Sequence, residues 1–538
     1  MSHDPRALPP VRAALDALAE RDAVRRLHER DTSVFSADPT VQDAVGDRLG
    51  WLDCVPPPPE WLPRLRALAD DVADAPLDEV ILLGMGGSSL APEVLARVLG
   101  PGPRGLPLTV CDSTHPEAAA ALDRDLSRAL VIVASKSGTT AETAALGALA
   151  AERVPDPSHL VAITDPGTVL AAQARDEGWR EVFLNPADIG GRFAALSLVG
   201  MVPAALLDAG PETLWASAGR LAQASAPGRE LPEDPSAVLG AFMAGLAREG
   251  RDKLTLLTHP RLASLGDWVE QLVAESTGKH GQGVVPVVGE PVGPPEAYGA
   301  DRAVVEVRLG GEPVEGVAAL AEAGIPVLTV DVAGTDELGA AFLQWELATA
   351  YAGMLLEVNP FDEPDVNASK ANTKALLAEL STPEAIGEPE DVDPTEALAS
   401  LRPGDYLALQ AYLPQDEATV AALTDLRAAL RDQLGVATTL GFGPRFLHST
   451  GQLHKGGPST VVVLRLADAP TGGPPIPGQA YDFATLVRAQ AAGDLQALRD
   501  RGRRVAPVRA DDLEAACQRI RAALAAVDPP PHDAADTP

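Results

Sequence analysis

Short runs of apolar residues recur along the chain, each closed by a glycine- or hydroxyl-rich turn and followed by a stretch with helical spacing. The run 79–83, Glu-Val-Ile-Leu-Leu, ends in Gly84-Met-Gly-Gly-Ser88. Leu108-Thr-Val-Cys111 comes next. Ala129-Leu-Val-Ile-Val-Ala134 then ends in Ser135-Lys-Ser-Gly-Thr-Thr140, and a fourth run covers 159–164. Unbroken apolar runs of this length, alternating with helices, mark strands buried on both faces of a parallel sheet. The pattern resumes with strands at 253–258, 303–307 and 325–330 and helices at 263–275 and 336–357. After residue 400 it appears again, with strands at 406–412 and 460–466 and helices near 416–434 and 511–527. The expected fold class is α/β: two doubly wound parallel-sheet domains plus a C-terminal α/β segment.

Punctuation divides the chain further. Residues 1–59 read as a charged helical arm, closed by the rigid run Pro56-Pro57-Pro58-Pro59. The first sheet domain is expected over 60–215, the second over 216–385 and the C-terminal segment over 386–527. The Pro/Glu-rich stretch 381–400 reads as a linker, and 528–538 as a disordered tail.

Composition sharpens this picture. The 538 residues are 46% hydrophobic but only 4% aromatic, so the cores must be built from Ala, Leu and Val. The net charge of −33 repels nucleic acid and anionic membranes. An anionic substrate must therefore be caught by a local donor-rich pocket. Three dispersed cysteines, Cys54, Cys111 and Cys517, argue against a disulfide framework or a zinc site and fit a reducing compartment. The start lacks an apolar leader, and no stretch approaches membrane-spanning length. The expectation is a soluble, cytoplasmic protein.

Four segments carry candidate chemistry. Gly84-Met-Gly-Gly-Ser88 lets a backbone approach a ligand at a helix N-terminus, as phosphate requires, or it is a tight structural turn. Ser135-Lys136-Ser137-Gly-Thr139-Thr140 packs several hydroxyls and a lysine into six residues, where a helix cap needs one hydroxyl. Two such loops on the carboxyl edge of an open sheet read as a phosphate clamp. Gly190-Gly-Arg192 offers a permanent cation beside two glycines, either for a substrate oxygen or for a carboxylate pair. Gln271 and Glu275 lie one turn apart on a helix, so both point to one side. A carboxylate in the last turn faces the negative end of the helix dipole, which raises its pKa toward that of a general base.

These segments, together with Gly190-Gly-Arg-Phe-Ala-Ala-Leu-Ser197, Glu275-Ser-Thr-Gly-Lys279 and Asn359-Pro-Phe-Asp-Glu-Pro-Asp-Val-Asn-Ala-Ser-Lys370, occur in the order found in glucose-6-phosphate isomerases, and the chain resembles that family from about residue 20 to 470. The stretch 443–457 resembles the isomerase half of bacterial transaldolase/glucose-6-phosphate isomerase fusions. The resemblance implies two sugar-isomerase (SIS) domains, no cofactor, no metal, a hexose 6-phosphate substrate and a homodimer. It implies phosphate binding by Gly87, Ser88, Ser135, Lys136, Ser137, Thr139 and Thr140, and sugar contact by Gln271. It makes Glu275 the base, Arg192 the stabiliser of the developing charge and Lys370 the aid to ring opening. The family's ring-opening histidine has no clear counterpart. His280 follows Glu275 too closely, which leaves His448 and His454, of which His454 is favoured. Two alternatives remain open: a dual phosphoglucose/phosphomannose isomerase, and a non-catalytic sugar-phosphate sensor.

Overall fold

The computed structural model describes residues 4–379, 387 and 389–530. Part of the expected linker (380–386 and 388) and the tail from 531 onward lie outside the described residues. Three parallel sheets organise the chain. The first contains β1 (Glu79–Leu83), β2 (Leu108–Cys111), β3 (Ala129–Ala134), β4 (Leu160–Thr164) and β5 (Glu181–Leu184), in the order β2-β1-β3-β4-β5. The second has β6 (Lys253–Thr258), β7 (Val285–Val288), β8 (Arg302–Leu309) and β9 (Val327–Val332), in the order β7-β6-β8-β9. The third has β10 (Tyr406–Tyr412), β11 (Ala437–Phe442), β12 (Val461–Ala467) and β13 (Arg504–Arg509), in the order β11-β10-β12-β13. Every pairing is parallel.

The three sheets share one plan. The first strand of each is central, the second pairs on one side, and the third and fourth build outward on the other. The chain thus reverses direction between the loops that follow the first and third strands, and a crevice opens at the carboxyl edge there. The C-terminal segment is a third doubly wound unit with the same strand order as the other two.

The central strands are largely buried. All six residues of β3 and all seven of β10 are enclosed, as the continuous apolar runs require. The helix Leu338–Leu356 is apolar on nearly all sides and packs against the helices Pro211–Ala224 and Pro235–Arg248. The N-terminal helix Pro9–Glu20 lies against Pro235–Arg248, burying Val11, Leu15 and Leu18. No helix among the described residues is long and apolar enough to cross a membrane.

Candidate active site

Glu275 sits in the last turn of the helix Ala263–Thr277 and is only 6% exposed. Its Oε2 accepts a hydrogen bond from Gln271 Nε2 at 3.1 Å, the contact that their i, i+4 spacing allows. The same oxygen is 3.0 Å from Arg192 Nη1. Burial raises the Glu275 pKa above the ordinary carboxylate value, and the Arg192 guanidinium opposes that rise without cancelling it.

Arg192 is 5% exposed and lies in the short turn Gly191–Phe193 after the first sheet. Its Nη2 donates to the carbonyls of Pro360 and Asp362, at 3.2 and 3.1 Å. The loop that opens the Asn359–Lys370 stretch therefore wraps the guanidinium. Gly87 packs against Gly191 so closely that a Cβ there would overlap the Gly191 backbone. Two glycine turns thus bring the β1 loop against the arginine. Beside them, Lys279 donates to the Asn359 carbonyl and pairs with Asp362 Oδ1 at 2.8 Å. Burial, aided by Arg192, pushes its pKa down to about 8.

A cavity of about 510 Å³ lies on the other side of His448, and Glu275, Gln271 and Arg192 do not line it. Ser137, Thr139 and Thr140 form one wall, Lys370 and Lys374 of the helix Val366–Glu379 another, and His448 a third. Within the loop, Ser135 Oγ accepts from the Gly138 amide and donates to Thr140 Oγ1, so Ser135 shapes the turn. Thr140 begins the helix Ala141–Ala151 without capping it, which leaves first-turn amides available to an anion.

His448 joins the cavity to the carboxylate. It lies in the turn Arg445–His448, which follows β11 of the third sheet. Its backbone carbonyl accepts from Gln271 Nε2 at 2.6 Å, while its ring Nε2 lies 3.0 Å from Glu142 Oε1. Gln490 Nε2 donates to the same Glu142 oxygen at 2.7 Å. Burial pushes the Glu142 pKa up, but the neighbouring His448 and its hydrogen bond outweigh this and hold the group below its ordinary value. Gly86, with φ +53°, is the tight point: a Cβ there would lie 2.5 Å from the His448 carbonyl oxygen.

The expectation for His454 fails. It is 3% exposed, its Nδ1 lies 3.1 Å from the Tyr406 hydroxyl, and its ring stacks on Tyr406. Burial, aided by Lys455, pushes its pKa down to about 3, so the ring stays neutral and outside the cavity. His280 is exposed on the turn after the Glu275 helix. Lys136 is also turned from the cavity: its Nζ lies 2.6 Å from Asp165 Oδ2 and 2.7 Å from the Ala187 carbonyl oxygen. Gly87 and Ser88 border the narrow space around Lys136. Glu142, Lys374 and Gln490 were not anticipated. Glu142 carried one signal, an acid in the first turn of an otherwise alanine-rich helix. Among the described residues no group of three or more His, Cys, Asp or Glu has metal-holding geometry.

Residues 70–280 match the family model of phosphoglucose isomerase. A glucose-6-phosphate isomerase of Thermus thermophilus is 32% identical over 387 residues, covering 62% of this chain and 91% of that protein. The chain belongs to the phosphoglucose isomerase family. A glucose-6-phosphate isomerase of Synechococcus sp. (strain JA-3-3Ab) is 30% identical over 353 residues, 56% of this chain, and the match spans 66% of that relative's own length. The crystal structure of a glucose-6-phosphate isomerase from Chlamydia trachomatis shares the fold, with a TM-score of 0.54 over 69% of this chain and 87% of that one at 18% identity. The family model ends at residue 280, so Lys370 and His448 lie beyond it.

Proposed function

We propose that this chain interconverts glucose 6-phosphate and fructose 6-phosphate. The observation that carries the reading is the buried Glu275 carboxylate, held by Arg192 and by Gln271, whose amide also reaches the His448 that walls a cavity of hydroxyls and lysines. The uncapped helix Ala141–Ala151 and the hydroxyls of Ser137, Thr139 and Thr140 receive the phosphate. Ring opening breaks the C1–O5 bond, with a proton gained at O5 and one lost from O1. His448, oriented by Glu142, and Lys370 serve that step, and His448 takes the place first expected for His454. Glu275 then removes the proton from C2, and the electrons shift to leave a cis-enediol. The same carboxyl returns the proton to C1, while a proton passes between O1 and O2. Arg192 offsets the negative charge that develops on the enediol oxygens.

The test is fructose 6-phosphate turnover, coupled to glucose 6-phosphate oxidation, with mannose 6-phosphate run beside it. Turnover of fructose 6-phosphate supports the proposal, and the second substrate separates a narrow from a dual isomerase. Binding of fructose 6-phosphate without turnover would favour the sensor reading.

A further inference from the structure

The cation expected for the phosphate, Lys136, is occupied elsewhere. Its ammonium is paired with Asp165 Oδ2 and the Ala187 carbonyl, on the side of the loop away from the 510 Å³ cavity. The cavity wall opposite Ser137 and Thr139 carries a different charge. Lys370 and Lys374 lie one turn apart on the helix Val366–Glu379, and both side chains line the cavity. Among the described residues Lys374 has no carboxylate partner. Like charges at i, i+4 on one helix repel, and a shared anion removes that cost. In a chain with a net charge of −33, Lys374 stands apart from the arginines, most of which are paired, and from Lys370, whose charge acts on Glu142 across the same cavity. Four features thus converge on one space: the lysine pair, the hydroxyls of Ser137 and Thr139, the uncapped helix start after Thr140, and the cavity itself.

We propose that Lys374, reaching across the cavity from the helix Val366–Glu379, neutralises the phosphate in place of Lys136. Lys136 then serves as a strut, tying its loop to Asp165 and the 187 backbone. The inference rests on the proposed phosphate site, and its experiment reads binding independently of catalysis.

Inorganic phosphate is titrated calorimetrically into the full chain and into the Lys374→Gln, Lys374→Arg and Lys136→Gln variants. The expected result is phosphate binding by the wild type, weakened about tenfold or more in Lys374→Gln, as loss of one charge-assisted contact requires. Lys374→Arg restores most of the affinity, and Lys136→Gln stays near the wild-type value. Three results overturn the inference: no phosphate binding by the wild type, an equal loss in Lys136→Gln, or undiminished binding in Lys374→Gln. Lys374-dependent phosphate binding without turnover of fructose 6-phosphate would leave this inference standing and sink the isomerase reading.

Discussion

The side-chain amide of Gln271 donates to the backbone carbonyl of His448 at 2.6 Å, and the same nitrogen donates to Glu275 at 3.1 Å. One amide therefore fixes the distance between the carboxylate and the histidine, residues that belong to different sheet units. Replacing Gln271 with Leu removes both bonds and leaves the His448 carbonyl without this donor. Turnover should fall by about 10²-fold, the usual consequence of a misplaced catalytic group. The loss should appear mainly in kcat, measured by initial rates.

The two histidines separate cleanly. His448→Asn removes a ring that faces the cavity and a carboxylate, so turnover of closed-ring glucose 6-phosphate should drop by ~10²-fold or more. His454→Asn leaves the buried Tyr406 hydroxyl without its partner. That change should cost ~1–3 kcal/mol of stability while kcat stays close to wild type. Thermal melts and rates on the same samples distinguish the two.

Gly86 tests the close approach directly. An alanine there adopts φ +53° at a cost and presses on the His448 carbonyl and on Gln271. Gly86→Ala should lower turnover by ~10-fold or more, because it displaces the His448 backbone and the Gln271 amide, which position the groups proposed to act. Circular dichroism should show the fold retained.

Much of the fold was legible in the sequence, and the strands that were not share one position. The strands β5, β7, β11 and β13 escaped notice, and all four are edges of their sheets. β5 and β13 are only partly buried, β7 is only four residues long, and two of the four carry Pro286 and Pro507, which a central strand would not tolerate. Ser137, Thr139, Thr140 and Lys370, which line one cavity, were legible as candidates because each lies in a short polar segment beside an apolar run. His448 and Glu142 could not be chosen in the same way. They meet only because the third sheet unit docks its 443–457 segment on the first, a contact separated by 306 residues. Lys136 misled because its motif is correct while its ammonium is claimed by Asp165, an acid 29 residues away.

A buried acid lies outside the site. Glu346, within the helix Leu338–Leu356, is 1% exposed, and burial raises its pKa well above the ordinary 4.5. A raised folded pKa means that its contribution to stability is intact below pH 4.5 and is lost as pH rises, because the unfolded chain ionises first. Glu346→Gln should therefore gain stability relative to wild type as pH rises above about 4.5, by at most about 1.4 kcal/mol per pH unit. Denaturant unfolding at several pH values measures it.

The central claim is that Glu275 carries a proton between C2 and C1. The most direct measurement is isomerisation of fructose 6-phosphate in deuterium oxide, with the glucose 6-phosphate formed analysed for deuterium at C2, for the wild type and for Glu275→Gln. Proton transfer through the carboxyl predicts a rate reduced by ~10³-fold or more in the variant, and any deuterium at C2, gained by exchange of the carboxyl proton with solvent, excludes a direct hydride shift. A variant that turns over at the wild-type rate would contradict the account.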